Sequence, residues 1–238
     1  MNSLKEFISD SFIQVNINKV TPSIYVIRKT LFDAVGDLKP ILHGKVLDIG
    51  CGVMPYKEYL LNPQISDYIG IDIEEPTAYE GLIKPDQIWD GNRIPFEDSS
   101  FDYVIATEFL EHYFDTFHIL SEINRVLKKG GVLFFTVPSI WPLHAVPYDY
   151  HRFTPLALNE YFRRTGFSKF DIRALGGIHI SVALILSFWY EKIRKNRKLL
   201  FSDKIFKMVI KFLMRRNRKL NDFNNGDVYS GLYGFVEK

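Results

Sequence analysis

Five residues in a row, Asp48-Ile49-Gly50-Cys51-Gly52, combine a carboxylate with two glycines at the end of a short β-rich run, Lys45 to Ile49. Glycine is needed where the backbone must take positive φ or admit a ligand closely. A lone G-x-G is only a tight turn, but a second acid, Asp72, ends the next strand-like run, YIGID, 22 residues after Gly50. In a βαβ unit a carboxylate so placed can accept both hydroxyls of a ribose. A dinucleotide is the first competitor, and two residues oppose it. Pro55 stands at the third glycine position and has no N–H for a pyrophosphate. Asp48, two residues before the first glycine, repels a pyrophosphate and suits a cationic ligand.

A second group of chemistry-bearing residues follows later. Glu108, Glu111 and His112 fall at i, i+3 and i+4, one face if that stretch is helical. Two carboxylates and an imidazole can bind a divalent ion. Without a fourth ligand the spacing does not make a site, and no metal is expected. His112, His144 and His151 are candidate bases, each weighed against a structural histidine. His151 lies in YDYHRF, a polar and aromatic run suited to an acceptor pocket, and Asp149 and Arg152 beside it could simply pair.

These residues need elements to hold them. Thr21-Pro22 predicts a capped helix to about Asp37, and Thr154-Pro155 another to Thr165. Helices are also expected over 55–61 and 114–127. Strands are expected at Lys45 to Ile49, Tyr68 to Asp72, Gln87 to Trp89, Phe101 to Ala106, Val132 to Val137, Phe167 to Ala174 and Tyr229 to Val236. Alternating strands and helices predict a mostly parallel sheet covered on both faces, with ligands at the carboxyl ends of the strands.

The motifs VLDIGCG, YIGID, DGNRIPFEDSSFDYVIATEFLEH and LKKGGVLFFTVP, in order from Gly44 to Pro138, resemble the class I S-adenosylmethionine-dependent methyltransferases of the small-molecule and surface-glycan-cluster type. The resemblance implies a Rossmann-like α/β fold of seven strands, the last antiparallel, with a helical insertion before it. It implies S-adenosylmethionine as cofactor. Asp48, Gly50, Cys51 and Gly52 would surround its methionine part and Asp72 its ribose, with Ile73 adjacent. Asp90 and Gly91 would meet the adenine, and Thr107 would pass the methionine end. The catalytic roles expected of His112 and His151 rest on their places after the fourth and fifth strands, not on the resemblance, since relatives vary at His151. Met54-Pro55-Tyr56 departs from the small residues many relatives have there, which would turn Tyr56 toward the cofactor or acceptor. The expected reaction is methyl transfer to an oxygen or nitrogen of a small or glycan-like, lipid-linked acceptor. The alternative is a membrane-associated binding module that has kept the fold and lost turnover.

The chain has 238 residues and a single cysteine, enough for one large core and no disulfide framework. It divides into an N-terminal helical segment (1–43), a cofactor-binding domain (44–177 and 226–238) and an insertion (178–225). Net charge is +2, but 191–219 holds twelve Lys or Arg against Glu191 and Asp203, or +10, leaving −8 for the rest. Such asymmetry points to an anionic partner. IHISVALILSFWY is apolar and shorter than the roughly 20 residues of a membrane span. Trp189 and Tyr190 then precede a basic cluster, as at a membrane–water boundary. Ser202 would cap a helix with Lys204, Lys207, Lys211 and Arg215 on a narrow basic stripe opposite a wide apolar face. We therefore expect a cytoplasmic protein, peripheral on the inner membrane face, with a lid or dimer contact as the alternative. Nucleic acid is disfavoured, because the aromatic residues belong to the apolar face. The opening MNSLKEFISDSF lacks a basic-then-apolar leader.

Overall fold

The computed structural model describes residues 6–73, 84–194 and 203–238. Seven strands form one sheet: β1 (Gly44–Ile49), β2 (Ile65–Ile73), β3 (Gln87–Trp89), β4 (Phe101–Thr107), β5 (Leu127–Pro138), β6 (Lys169–Ala174) and β7 (Gly231–Glu237). Their order is β3-β2-β1-β4-β5-β7-β6. Neighbours from β3 to β5 run parallel, and β7 lies antiparallel between β5 and β6. The carboxyl ends of the first five strands thus share one edge.

Among the described residues six α-helices cover the sheet: α1 (Pro22–Leu38), α2 (Lys57–Leu60), α3 (Thr116–Val126), α4 (Pro155–Arg164), α5 (Ile178–Arg194) and α6 (Asp203–Arg216). Strand alternation sends side chains to two separate cores. Leu47 and Ile49 of β1 join a core with residues of α3 and α4, including Ile119, Ile123, Leu158 and Phe162. Val46 joins the opposite core with Val26, Leu31 and Val35 of α1, Leu184 of α5 and Ile210 of α6. Asp48 points to this second side, where its buried carboxylate meets Tyr68. The N-terminal helix and the insertion together close one face of the sheet.

Both expected caps form. Thr154 Oγ1 accepts from Ala157 N at 3.2 Å, and Thr21 Oγ1 accepts from Ile24 N at a longer 3.4 Å. Three elements differ from expectation. The helix expected over 55–61 shrinks to the single turn α2, because Met54 takes φ +48° and Leu61 turns extended before Asn62-Pro63. β5 begins at Leu127, five residues early, since Leu127 pairs with Phe101 and the ladder then shifts register across Gly130-Gly131. The wide apolar face expected on α6 divides: Ile210 is buried and Phe206 partly so, while Ile205, Met208, Val209 and Phe212 are exposed. Tyr190 is likewise no boundary aromatic, being buried and stacked on Phe206 at 3.8 Å; Trp189 is exposed. Ser202 and 195–202 lie outside the described residues. Among the described residues no helix is long and apolar enough to cross a membrane.

Candidate active site at the strand tips

The turn after β1 is built from backbone constraints. Gly50 and Gly52 take φ of +65° and +49°, in the left-handed region that favours glycine. A Cβ on Gly50 would fall 2.5 Å from Phe109 Cδ2, whereas one on Gly52 would meet nothing within 4 Å. The loop therefore packs tightly on one side and opens on the other. Gly50 N and Cys51 N both donate to Ile71 O, at 2.9 and 3.1 Å. Cys51 is buried, and desolvation pushes its thiol well up, so it is a packing residue rather than a nucleophile.

Asp72 at the tip of β2 accepts from Gly52 N at 2.7 Å and from Ile73 N at 2.8 Å. Each oxygen keeps further lone-pair capacity. Ile73 is half-exposed, and a Cβ on Gly91 would lie 3.6 Å from its Cγ2. Asp90 accepts from Asn92 N at 2.8 Å, and Tyr113 Oη donates to Gly91 O. An aliphatic surface is thus flanked by two carboxylates, an acceptor set matched to a flat, hydroxylated ligand. Asp48 adds an orphan: Oδ2 accepts from Tyr68 Oη at 2.7 Å, while Oδ1 is buried without a partner. Burial pushes its carboxyl up to about 7. The open cradle at Gly52 and the unanswered Asp48 oxygen both fit a cationic nucleoside.

Beyond this loop lies a cavity of about 310 Å³. Gly50 to Val53, Thr107 and Glu108 form one side. Phe12 and the α1 residues Ile24, Ile27, Arg28 and Leu31 form another, with Tyr56, Trp141 and His144 completing it. Tyr56 therefore faces the cavity beside Arg28, and burial pushes its hydroxyl up to about 12. The N-terminal segment is a wall of the site, which its sequence did not signal. Arg28 sits 3.8 Å over the Phe12 ring, and its charge opposes the effect of burial on Glu108.

Glu108, Glu111 and His112 do not share a helical face. Leu110–His112 is a single 3₁₀ turn, and Glu108 precedes it at φ +48°. Thr136 Oγ1 donates to Glu108 Oε1 at 2.9 Å. Glu111 is fully buried, and neither carboxylate oxygen has a partner. Burial raises both carboxyls, and the charge of Glu108 adds to the rise at Glu111. His112 Nδ1 donates to Tyr148 O at 2.9 Å, and desolvation keeps the ring neutral. His151 Nε2 meets Phe114 O at 3.0 Å, and its ring lies between Phe114 and Phe153. Neither His112 nor His151 lines the cavity; Glu108 and His144 do. His144 comes in because Tyr150 N and His151 N donate to Glu111 O, drawing the 144–152 loop over the 3₁₀ turn. One nitrogen or oxygen of each of Glu111, His112 and His144 lies within 4.8 Å of the others, a cluster able to hold a cation.

Residues 47–135 match the methyltransferase-domain family model. The chain is 32% identical over 124 residues to 27-O-demethylrifamycin SV methyltransferase of Amycolatopsis mediterranei, covering 46% of each chain. It is 32% identical over 106 residues to demethylmenaquinone methyltransferase of Bacillus cereus, covering 40% of this chain and 44% of that one. The chain thus spans less than half the length of the curated relatives it matches. Its fold is shared with a SAM-dependent methyltransferase of Archaeoglobus fulgidus (TM-score 0.56, 19% identity, 98% and 99% of the two chains). The same holds for a possible histamine N-methyltransferase of Thermotoga maritima (TM-score 0.57, 16% identity, 100% and 99%). Residues 47–135 thus match a methyltransferase domain, and the strand order is that of the Rossmann-like methyltransferase fold of these solved structures.

Proposed function

We propose that the protein moves a methyl group from S-adenosylmethionine to an oxygen or nitrogen of a small acceptor. One observation carries this reading: an open, carboxylate-flanked glycine loop adjoins a cavity with a buried acid on its wall. Asp48 and the Gly50–Gly52 loop would hold the methionine part. Asp72 would hold the ribose hydroxyls, and Ile73, Asp90 and Gly91 the base, with Thr107 at the methionine end. When bound, the cofactor supplies an electrophilic methyl group. The chain's own work is to fix the acceptor in line and to take its proton, contributions worth several powers of ten in rate. Glu108 is the candidate to take the proton, because it lines the cavity and burial has raised its carboxyl. His112 and His151, the residues that the sequence favours, turn a ring nitrogen to backbone carbonyls instead.

The finer reading is an acceptor presented at an anionic membrane surface, glycan-like and lipid-linked. It is supported by the exposed apolar side chains Ile185 and Trp189 of α5 and Met208 and Phe212 of α6, set among Lys211 and Arg215. Phe188 of α5 packs edge-on against Trp141 at 5.3 Å, which joins this surface to the cavity wall. The paired substitution Lys211→Glu and Arg215→Glu should then release the protein from anionic vesicles in sedimentation.

Calorimetry with S-adenosylmethionine and its demethylated product tests the main reading. Binding is expected with both, and absence of heat with both would overturn it. Binding without turnover over a panel of hydroxyl and amine acceptors would favour the non-catalytic module.

A further inference from the structure

Buried polar groups are almost always answered by a partner, so an unanswered one calls for an explanation. Glu111 is the sharpest case among the described residues. Its side chain is fully buried, and both carboxylate oxygens lack a hydrogen-bond partner. The imidazole beside it does not donate to it. His112 Nδ1 is 2.9 Å from Tyr148 O, and a carbonyl can only accept, so Nδ1 carries the proton and Nε2 presents a lone pair. That Nε2 lies 3.7 Å from Glu111 Oε1. An imidazole lone pair and a carboxyl oxygen therefore stand 3.7 Å apart with no hydrogen bond between them.

The third member is oriented in the same way. Asp149 Oδ2 accepts from both His144 N and His144 Nδ1, each at 3.1 Å. Asp149 is itself clamped by Arg152 through two bonds of 2.6 and 2.8 Å, which hold its carboxyl well below the usual range. His144 Nδ1 thus carries a proton, and Nε2 is the ring nitrogen left to face a ligand. Each histidine donates its far N–H to a fixed acceptor, one to a carbonyl and one to a carboxylate, the arrangement that orients and tautomerises metal-binding imidazoles.

We propose that Glu111, His112 and His144 bind one divalent transition-metal ion. Two imidazoles and one carboxylate favour a borderline ion such as Zn²⁺ or Co²⁺ over Mg²⁺ or Ca²⁺, which prefer all-oxygen sites. Three protein ligands would leave coordination open, and His144, the one of the three that lines the cavity, would bring the ion to the edge of the acceptor pocket. Glu108 is not counted, because Thr136 holds its Oε1. This deepens the methyl-transfer reading and rests on it for one consequence: the ion would take an acceptor oxygen and ease loss of its proton.

The test uses the metal alone with the full-length protein after chelator treatment and dialysis. Calorimetry with Zn²⁺ should give one site per chain, Co²⁺ should give d–d absorption of a low-coordinate nitrogen-oxygen site, and Mg²⁺ should give no comparable heat. His144→Ala and Glu111→Gln should each weaken Zn²⁺ binding at least tenfold, whereas His151→Ala should leave it unchanged. Because Glu111 is buried and its variant could misfold, the half-buried His144 is the deciding position, with circular dichroism as the fold check. Absence of Zn²⁺ binding to the wild-type chain overturns the proposal, as does equal binding by the His144→Ala chain. Titration with the demethylated cofactor in the same samples separates the two ideas. Cofactor binding without metal leaves the function standing and removes this site; metal binding without cofactor does the reverse.

Discussion

The two ends of the strand-tip groove solve opposite problems. At the Asp72 end, polar side chains are answered by backbone amides close in sequence or on the adjacent loop: Gly52 and Ile73 for Asp72, Asn92 for Asp90. At the Glu108 end, carboxylates are desolvated and two oxygens of Glu111 are unanswered. The first end keeps its carboxylates answered, as a site for a neutral, flat group would require. The second holds groups in a state that water would not allow, which costs stability and supplies chemistry. Asp48 stands between them and shares the second character.

The largest expected effect is the pH dependence that this second character imposes. Asp48 is raised from 3.8 to about 7, so between those values the folded chain keeps a proton that the unfolded chain has released. Stability at this site is fully present below about pH 4, falls as pH rises, and is lost by about pH 7, a swing of up to ~4 kcal/mol. Glu108 and Glu111 act in the same direction. Asp102, Asp149 and Glu122 are lowered, so their contributions disappear only on acidification. Asp48→Asn cannot ionise, and its amide oxygen can still accept from Tyr68. Guanidinium denaturation should find its stability relative to wild type greater at pH 8 than at pH 5. An unchanged difference would place Asp48 with the solvated acids.

Paired substitutions sharpen the same contrast. Glu108→Gln should lower turnover about 100-fold while leaving affinity for the demethylated cofactor unchanged. Asp72→Ala should do the reverse in kind. It loses charge-assisted bonds worth ~1.5–3 kcal/mol each and weakens cofactor binding by roughly 10- to 100-fold. If Glu108→Gln weakened cofactor binding as much as Asp72→Ala, the groove would be one site with no division of labour.

The same division explains what was legible in the sequence. The Asp72 end is local: a strand, a G-x-G turn and an acid at the next strand's tip, each recognisable within a few residues. β1, β3 and the helix after Thr154 were readable for the same reason, since short apolar runs and caps act nearby. The cavity end is assembled from distant segments with no common period. Arg28 enters from α1, and His144 enters because the backbone of Tyr150 and His151 hangs on Glu111 O. A helical spacing groups Glu108 with Glu111 and His112, but one 3₁₀ turn, entered at φ +48°, sends Glu108 to Thr136 instead. The α6 pattern showed amphipathicity but not which apolar residues Tyr190 and α1 would cover.

The smallest expected effect concerns α1, the wall that joins the two ends. Thr21 is the cap readable from sequence, yet its 3.4 Å bond to Ile24 N is long. A second cap comes from 168 residues away: Glu191 of α5 accepts from Ser23 N at 2.9 Å and from Ser23 Oγ at 3.0 Å. A carboxylate at a helix N-terminus also meets the positive end of the helix dipole. Glu191→Ala should therefore cost about 1–2 kcal/mol, and Thr21→Ala less than its ordinary ~1 kcal/mol, because one cap remains. Thr154→Ala, whose 3.2 Å bond has no such substitute, should cost the full ~1 kcal/mol. The three also separate by site. Ile24, Ile27 and Arg28 occupy the first turns of α1 and line the cavity, whereas no residue of α4 does. Loosening α1 through Glu191→Ala should thus raise the acceptor KM while cofactor affinity holds, and Thr154→Ala should move neither. Equal kinetic effects from Glu191→Ala and Thr154→Ala would show that α1 supports the sheet face without shaping the acceptor end.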